Sequence, residues 1–349
     1  MTVDMEQRSR LLRVKLGALV RARGAEVVAE PAGVGAITAV LVDGHAFALA
    51  EEGTPSAASS ALVWASRQAA TGLTLFVDHD AEDVARWASY FVLGHDAVEV
   101  REIIGADSRP AAASPLPRPF GSAGSSDDEA VAAEGAAALI EQLRSAGAEV
   151  VVERGVIRGE VLGLEVARLV VWPRETGGDG NLHLEPGVGR FDRDAVAAAH
   201  PDESPSDGLD RSVHAVRTHR YPGAPAHPIQ MLTRERWLRA DLVASPELVG
   251  ARRLRAVGMT TEANGLRDAH PAAAFGEDLD GRPLLVVCSS GVDLALVPLA
   301  ADTRELLEPT ARMVLALPER DHHAATLSLA RMLRRPADVA VVPAGWGRP

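Results

Sequence analysis

The pentapeptide Gly-Ala-Glu-Val-Val occurs twice in this chain, at residues 24–28 and 147–151. Each copy follows an amphipathic, helix-like stretch and precedes apolar, strand-like runs: "LGALVRARGAEVVAE" from 16 and "AALIEQLRSAGAEVVVE" from 137. The ends of the two halves match as well. "LTLFVDHDAEDVARWASYFVLGHDAVEVREI" (73–103) parallels "MVLALPERDHHAATLSLARMLRRPADVAVVP" (313–343), each reading as strand, acidic helix start, helix and strand. A repeat constrains a fold more than composition does, because both copies must satisfy one topology.

Between the halves, "ADSRPAAASPLPRPFGSAGSSDDEA" (106–130) lacks periodicity and is rich in Pro, Ala, Ser and Gly, so it reads as a flexible linker. The expected organisation is a first α/β module over 1–105, the linker over 106–130, and a second module over 131–349. An insertion at about 190–280 reads as mostly helical. "LLVVCSSGVDLALVPL" (284–299) reads as two strands about a turn, and the late strand-helix-strand as a parallel crossover. The fold class expected is α/β or α+β: a duplicated module with a mixed sheet flanked by helices, its second copy carrying the helical insertion.

With 349 residues, 47% of them apolar, the chain has material for two cores. Its single cysteine, Cys288, excludes a disulfide framework and a cysteine zinc site, and fits a reducing cytoplasm. No apolar run approaches the ~18 residues of a membrane span, so a soluble, cytoplasmic protein without a membrane partner is expected. The net charge of −12 does not favour nucleic acid as a partner. Residues 211–256 depart from that balance, holding nine arginines against three acids.

Two stretches carry most of the candidate chemistry. "GEVLGLEVARLVVW" (159–172) and "LHLEPGVGRFDRDA" (182–195) place Glu160, Glu165, Glu185, Asp192 and Asp194 near glycines. If the strands are neighbours, Glu165 and Glu185 meet on one face with Asp192 close by, a hard oxygen set suited to Mg²⁺ or Mn²⁺. Solvent-facing strand glutamates and a helix N-cap at Asp192 account for the same residues without a ligand. In the basic stretch, Arg217, Arg220, His227, Arg234, Arg236 and Arg239 could contact an acidic protein partner or a phosphate-containing ligand, since arginine suits planar oxyanions. Packing of Leu232 and Leu238 with the arginines in solvent is the alternative. The acids of "FVDHDAEDV" (76–84) and its counterpart read as helix caps, and no Gly-x-Ser-x-Gly nucleophile motif occurs.

The order helix, meander, crossover helix and strand resembles the restriction-endonuclease-like superfamily, the PD-(D/E)xK nucleases and their inactive relatives. That resemblance implies a metal-binding acid early in the second strand, matched by Glu165, and a Glu-x-Lys in the third, whose glutamate is matched by Glu185. Gly187 stands where the lysine would be, and the only lysine of the chain is Lys15. Two functions follow as expectations. One is a non-catalytic interaction or ligand-binding protein made of two related modules. The other is a divalent-metal-dependent hydrolase or phosphate-handling enzyme of nuclease-like fold, with its carboxylate site in the second module.

Overall fold

A computed structural model describes residues 2–27, 29–94, 98–116, 130–153, 155–188, 193, 202–221, 223–261 and 265–342. It is an α/β fold with three sheets flanked by helices. The first sheet is built from α1 (Thr2–Ala22), β1 (Ala32–Val34), β2 (Ile37–Val42), β3 (His45–Glu52), α2 (Pro55–Arg67), β4 (Gly72–His79), α3 (Ala81–Ala88), β5 (Glu99–Ile104) and β6 (Asp107–Pro110). Its strand order follows the sequence. β1, β2 and β3 pair antiparallel, β3, β4 and β5 parallel through α2 and α3, and β6 returns antiparallel. The strands β2–β4 read as apolar runs because both their faces are buried, and α1 lays Leu16, Leu19 and Val20 on Val40, Phe47 and Phe76.

The second sheet is a separate antiparallel meander, in the order β10-β9-β8-β7. It comprises α4 (Ala136–Ser145), β7 (Glu149–Glu153), β8 (Val156–Val161), β9 (Leu164–Val171), β10 (Leu182–Pro186) and α5 (Pro205–His219). Ile140 and Leu143 of α4 and Leu209, Val213 and Val216 of α5 bury its apolar face with Ile157, Leu164, Val166 and Leu169. The third sheet repeats the first. α6 (Arg234–Ala244), β11 (Ala251–Val257), β12 (Ala272–Asp278), β13 (Pro283–Cys288), α7 (Leu296–Leu307), β14 (Arg312–Pro318), α8 (Ala324–Met332) and β15 (Asp338–Val342) follow the order α1–β1–β2–β3–α2–β4–α3–β5. β11, β12 and β13 are antiparallel, and β14 is parallel to β13.

The repeat therefore exists, but its second copy starts at α6 and not at the second Gly-Ala-Glu-Val-Val. The strands at 149–171 belong to a meander with no counterpart among 26–50. What the two pentapeptides share is a helix stop. Gly24 (φ +81°) and Gly147 (φ +80°) leave their helices in the left-handed conformation. Behind them, the N–H of Ala25 and of Ala148 returns to the carbonyl of Val20 and of Leu143. Two further boundaries differ from expectation. Residues 107–110 of the expected linker form β6, and the expected helical insertion contains the strands β11 and β12.

By contacts the chain divides into two units: Met1–Pro117 with Val292–Pro309 and Arg320–Val339, and Arg118–Gly291 with Thr310–Glu319 and Ala340–Pro349. The first unit thus holds α7 and α8 beside α2 and α3. Within it, corresponding segments of the two copies meet. Phe91 and Leu333, each just past the last helix of its copy, form an antiparallel bridge, flanked by Val92 N–H to Met332 O and Arg334 N–H to Tyr90 O, both 2.8 Å.

A buried carboxylate fixes the same contact. Asp302 of α7, 1% exposed, accepts from Arg86 Nε (3.1 Å), Trp87 Nε1 (2.7 Å) and Tyr90 Oη (2.7 Å). Burial, with Asp302 close by, pushes the Tyr90 hydroxyl well above its ordinary pKa, so it remains a donor. Asp302→Asn turns one acceptor oxygen into a donor facing other donors. It is expected to cost about 2 kcal/mol, read by chemical denaturation. A change under about 0.5 kcal/mol would mean that this network is not structural.

Candidate functional site

The densest group of buried charge lies in the second unit, where the β8–β9 hairpin meets α6. Only Leu162 and Gly163 link the two strands, and both have positive φ (+48° and +72°), as a two-residue hairpin turn requires. The turn tip presses on the first turn of α6. A Cβ at Gly163 would lie 2.1 Å from the Arg236 carbonyl carbon, and Thr233 Oγ1 donates to Gly163 O at 3.0 Å. Arg220, 1% exposed, donates Nη1 to Leu162 O (2.7 Å) and Nε to Ile229 O (3.2 Å), and stacks over Trp237. Its hydrogen-bond partners are carbonyls, and burial pushes its pKa down to about 10.

Beside this contact, register places Glu149, Glu160 and Glu165 in one row across β7, β8 and β9. Such a row repels itself unless cations answer it. Arg236 and Arg239, one helical turn apart on α6, supply them. Arg236 holds Glu160 and, through Nη2, Glu153 (2.7 Å); Arg239 Nη2 holds Glu160 at 2.6 Å; Arg158 Nη1 holds Glu153 at 2.8 Å. Glu160 and Arg239 are each 1% exposed. Burial alone would raise the Glu160 pKa, but Arg239 and Arg236 outweigh it and hold the carboxyl below its ordinary value. Glu149 lies at the margin of the group, and its pKa is raised, chiefly by burial. The cavity between Glu153, Arg236, Arg239, Thr261 and His270 measures about 20 Å³. That is room for a water or so, not for an organic substrate.

The residues expected to bind metal lie beside this cluster. Glu165 is held by Arg158 Nε (3.3 Å) and by Arg193; Glu185 by Arg168 Nη2 (3.4 Å) and Trp172 Nε1 (3.2 Å), with Arg193 Nε at 4.0 Å. Asp192 lies outside the described residues. The positive charge that the sequence reading assigned to a divalent ion is thus supplied by guanidinium groups, and this donor set does not suit one. Among the described residues, no group of three or more His, Cys, Asp or Glu side chains could hold a metal. Glu165 and Glu185 lie in the meander, in a different sheet from the strands joined by crossover helices.

Most of the expected anion-contact residues serve the fold. Arg217 caps Gly147 O at 3.0 Å, Arg220 binds loop carbonyls, and Arg236 and Arg239 bind Glu153 and Glu160. His227 accepts from the Ile229 N–H at the start of a short 3₁₀ turn and stacks on His219, while Arg234 is half-buried at the start of α6. Cys288 is fully buried, which pushes its thiol up to about 12 and removes it as a nucleophile near neutral pH. The sequence reading missed the pairing of Glu153 and Glu160 with Arg236 and Arg239. Because Leu162 and Gly163 fold 159–172 into a hairpin, Glu160 faces Glu165 across it, a juxtaposition that one continuous strand would not give. Among the described residues no helix is long and apolar enough to cross a membrane. Comparison with protein-family models, with curated proteins and with solved structures gives no match to this chain.

Proposed function

We propose that the chain is a non-catalytic interaction protein built around two copies of an α/β module. One observation carries this reading: the carboxylates and the thiol that could act as ligands or nucleophiles in the second module are tied into structural contacts. Glu153, Glu160, Glu165 and Glu185 face arginines, and Cys288 is sealed in a core. A general base or metal ligand needs a free lone pair aimed at open space, and these oxygens are aimed at guanidinium groups.

The test is a substitution with opposite signs under the two readings. In a like-charged metal site, Glu165→Gln would stabilise the metal-free protein and abolish an ion-induced rise in Tm. For a glutamate paired with Arg158 and Arg193, it should destabilise by about 1 kcal/mol, with Mg²⁺ and Mn²⁺ shifting neither form. Stabilisation by Glu165→Gln together with an ion-dependent Tm would refute the proposal.

A further inference from the structure

Three of the exposed arginines of the basic stretch gather on one strand. Arg252, Arg253 and Arg255 of β11 are exposed; Arg253 pairs with Glu277 across to β12, and Arg252 lies near enough to add to the positive charge that Glu277 feels. Among the described residues β11 is also an edge: β12 is its one hydrogen-bonded strand partner, and β7 lies close to it without pairing, which leaves one row of its backbone N–H and C=O groups outside any described ladder. At seven residues it is the longest edge strand among the described residues. The edges β6 and β10 end in Pro110 and Pro186, β1 has three residues, and β7 and β15 have five each. Proline or shortness blunts these edges to differing degrees, whereas β11 has no proline and the greatest length among them.

The side chains say what such an edge accepts. Beyond the bulge at Arg252, Arg253 and Arg255 point to one face, while Leu254 turns to the core of α6 and β13. A second copy of β11 laid alongside would set arginine against arginine, which repels. An extended segment with carboxylates at alternate positions would set each opposite an arginine while its backbone pairs with the open row.

We infer that the outer edge of β11 is a docking strand for an extended, acidic peptide segment of another protein, bound by strand addition. This rests on the non-catalytic reading and names the partner chemistry. The probe is a short synthetic peptide alternating valine and glutamate, titrated against the full chain by fluorescence anisotropy. It should bind, and Arg253→Glu with Arg255→Glu should weaken binding by about tenfold or more, as two attractive cross-strand pairs become repulsive. Binding should also fall as salt rises, and should vanish when alternate peptide nitrogens are methylated, since the ladder then loses its donors. Both arginines are exposed, so the double variant should keep the wild-type circular dichroism. If it does not, Arg253→Gln with Arg255→Gln replaces it, with a smaller weakening expected.

Absence of binding, equal binding of a valine–lysine peptide, or indifference to the arginine changes would overturn the inference. Peptide binding that survives N-methylation but is displaced by inorganic phosphate or single-stranded DNA would also overturn it, marking a plain anion surface. Divalent-ion-dependent turnover would refute the non-catalytic reading while leaving a positive peptide result intact. A negative peptide result without turnover removes only the docking strand.

Discussion

Glu160→Ala should lower the stability of the second unit by about 3–5 kcal/mol, the usual cost of removing one partner from a buried ion pair. Glu160 answers both Arg236 and Arg239, and Arg239 is as fully buried as Glu160. Alanine would leave two guanidinium groups with Glu153 and the marginal Glu149 as their remaining carboxylates, and one of the two is almost wholly shut off from bulk solvent. Glu160→Gln keeps the shape but not the charge, and should recover only part of the loss. The effect has a pH signature. Because the arginines hold the folded carboxyl below its ordinary pKa, its contribution is fully present above the unfolded value of about 4.3. It is lost as pH falls through the folded value. The gap between wild type and Glu160→Ala should therefore be widest near neutrality and shrink in acid. Hydrogen exchange of the β8 and α6 amides under mild denaturant would measure it. A gap below about 1 kcal/mol at pH 7 would show that the cluster is not what joins hairpin and helix.

Gly163→Ala should cost about 3 kcal/mol or more, from two sources that add. A left-handed alanine at φ +72° costs roughly 1–2 kcal/mol. The new methyl would also lie 2.1–2.5 Å from backbone atoms of Arg236 and Trp237, which cannot swing aside as a side-chain tip would. The hairpin must then back away from α6, loosening the Thr233 hydrogen bond to Gly163 and the Arg220 bond to Leu162. Gly177→Ala is the control. Its φ is +89°, but nothing lies within 4 Å of the added carbon, so it should cost only about 1 kcal/mol. Equal losses at the two sites would mean that close packing of the hairpin tip contributes nothing.

Much of the architecture was legible wherever one signal spanned a whole element. The matched stretches 73–103 and 313–343 do contain corresponding strand-helix-strand units, because buried parallel strands read as unbroken apolar runs. The matched pentapeptides misled because a glycine helix stop is local chemistry, indifferent to the sheet that follows. β11 escaped notice because an edge strand with arginines at 252, 253 and 255 shows no clean alternation. The arginines were the least legible. Arg236 and Arg239 share a helix face whether they point to solvent or to acids, and their partner Glu160 lies 76 and 79 residues upstream. Periodicity within one window cannot reveal a pairing across that distance.

The exchange of α7 and α8 into the first unit bears on how the chain is made. Residues 1–117 leave the ribosome well before the helices that finish their unit are synthesised. Arg86 waits for Asp302 across 216 residues of chain, and Phe91 for Leu333 across a longer span. Until then Arg86 has only Asp83 of its own helix, Trp87 lacks its acceptor and the surface awaiting α7 stays open, a state in which nascent chains are most exposed to chaperones and to one another. Loop closure over such a span delays folding far more than it weakens the finished protein, so vulnerability during synthesis and stability afterwards are set by different parts of the same contact.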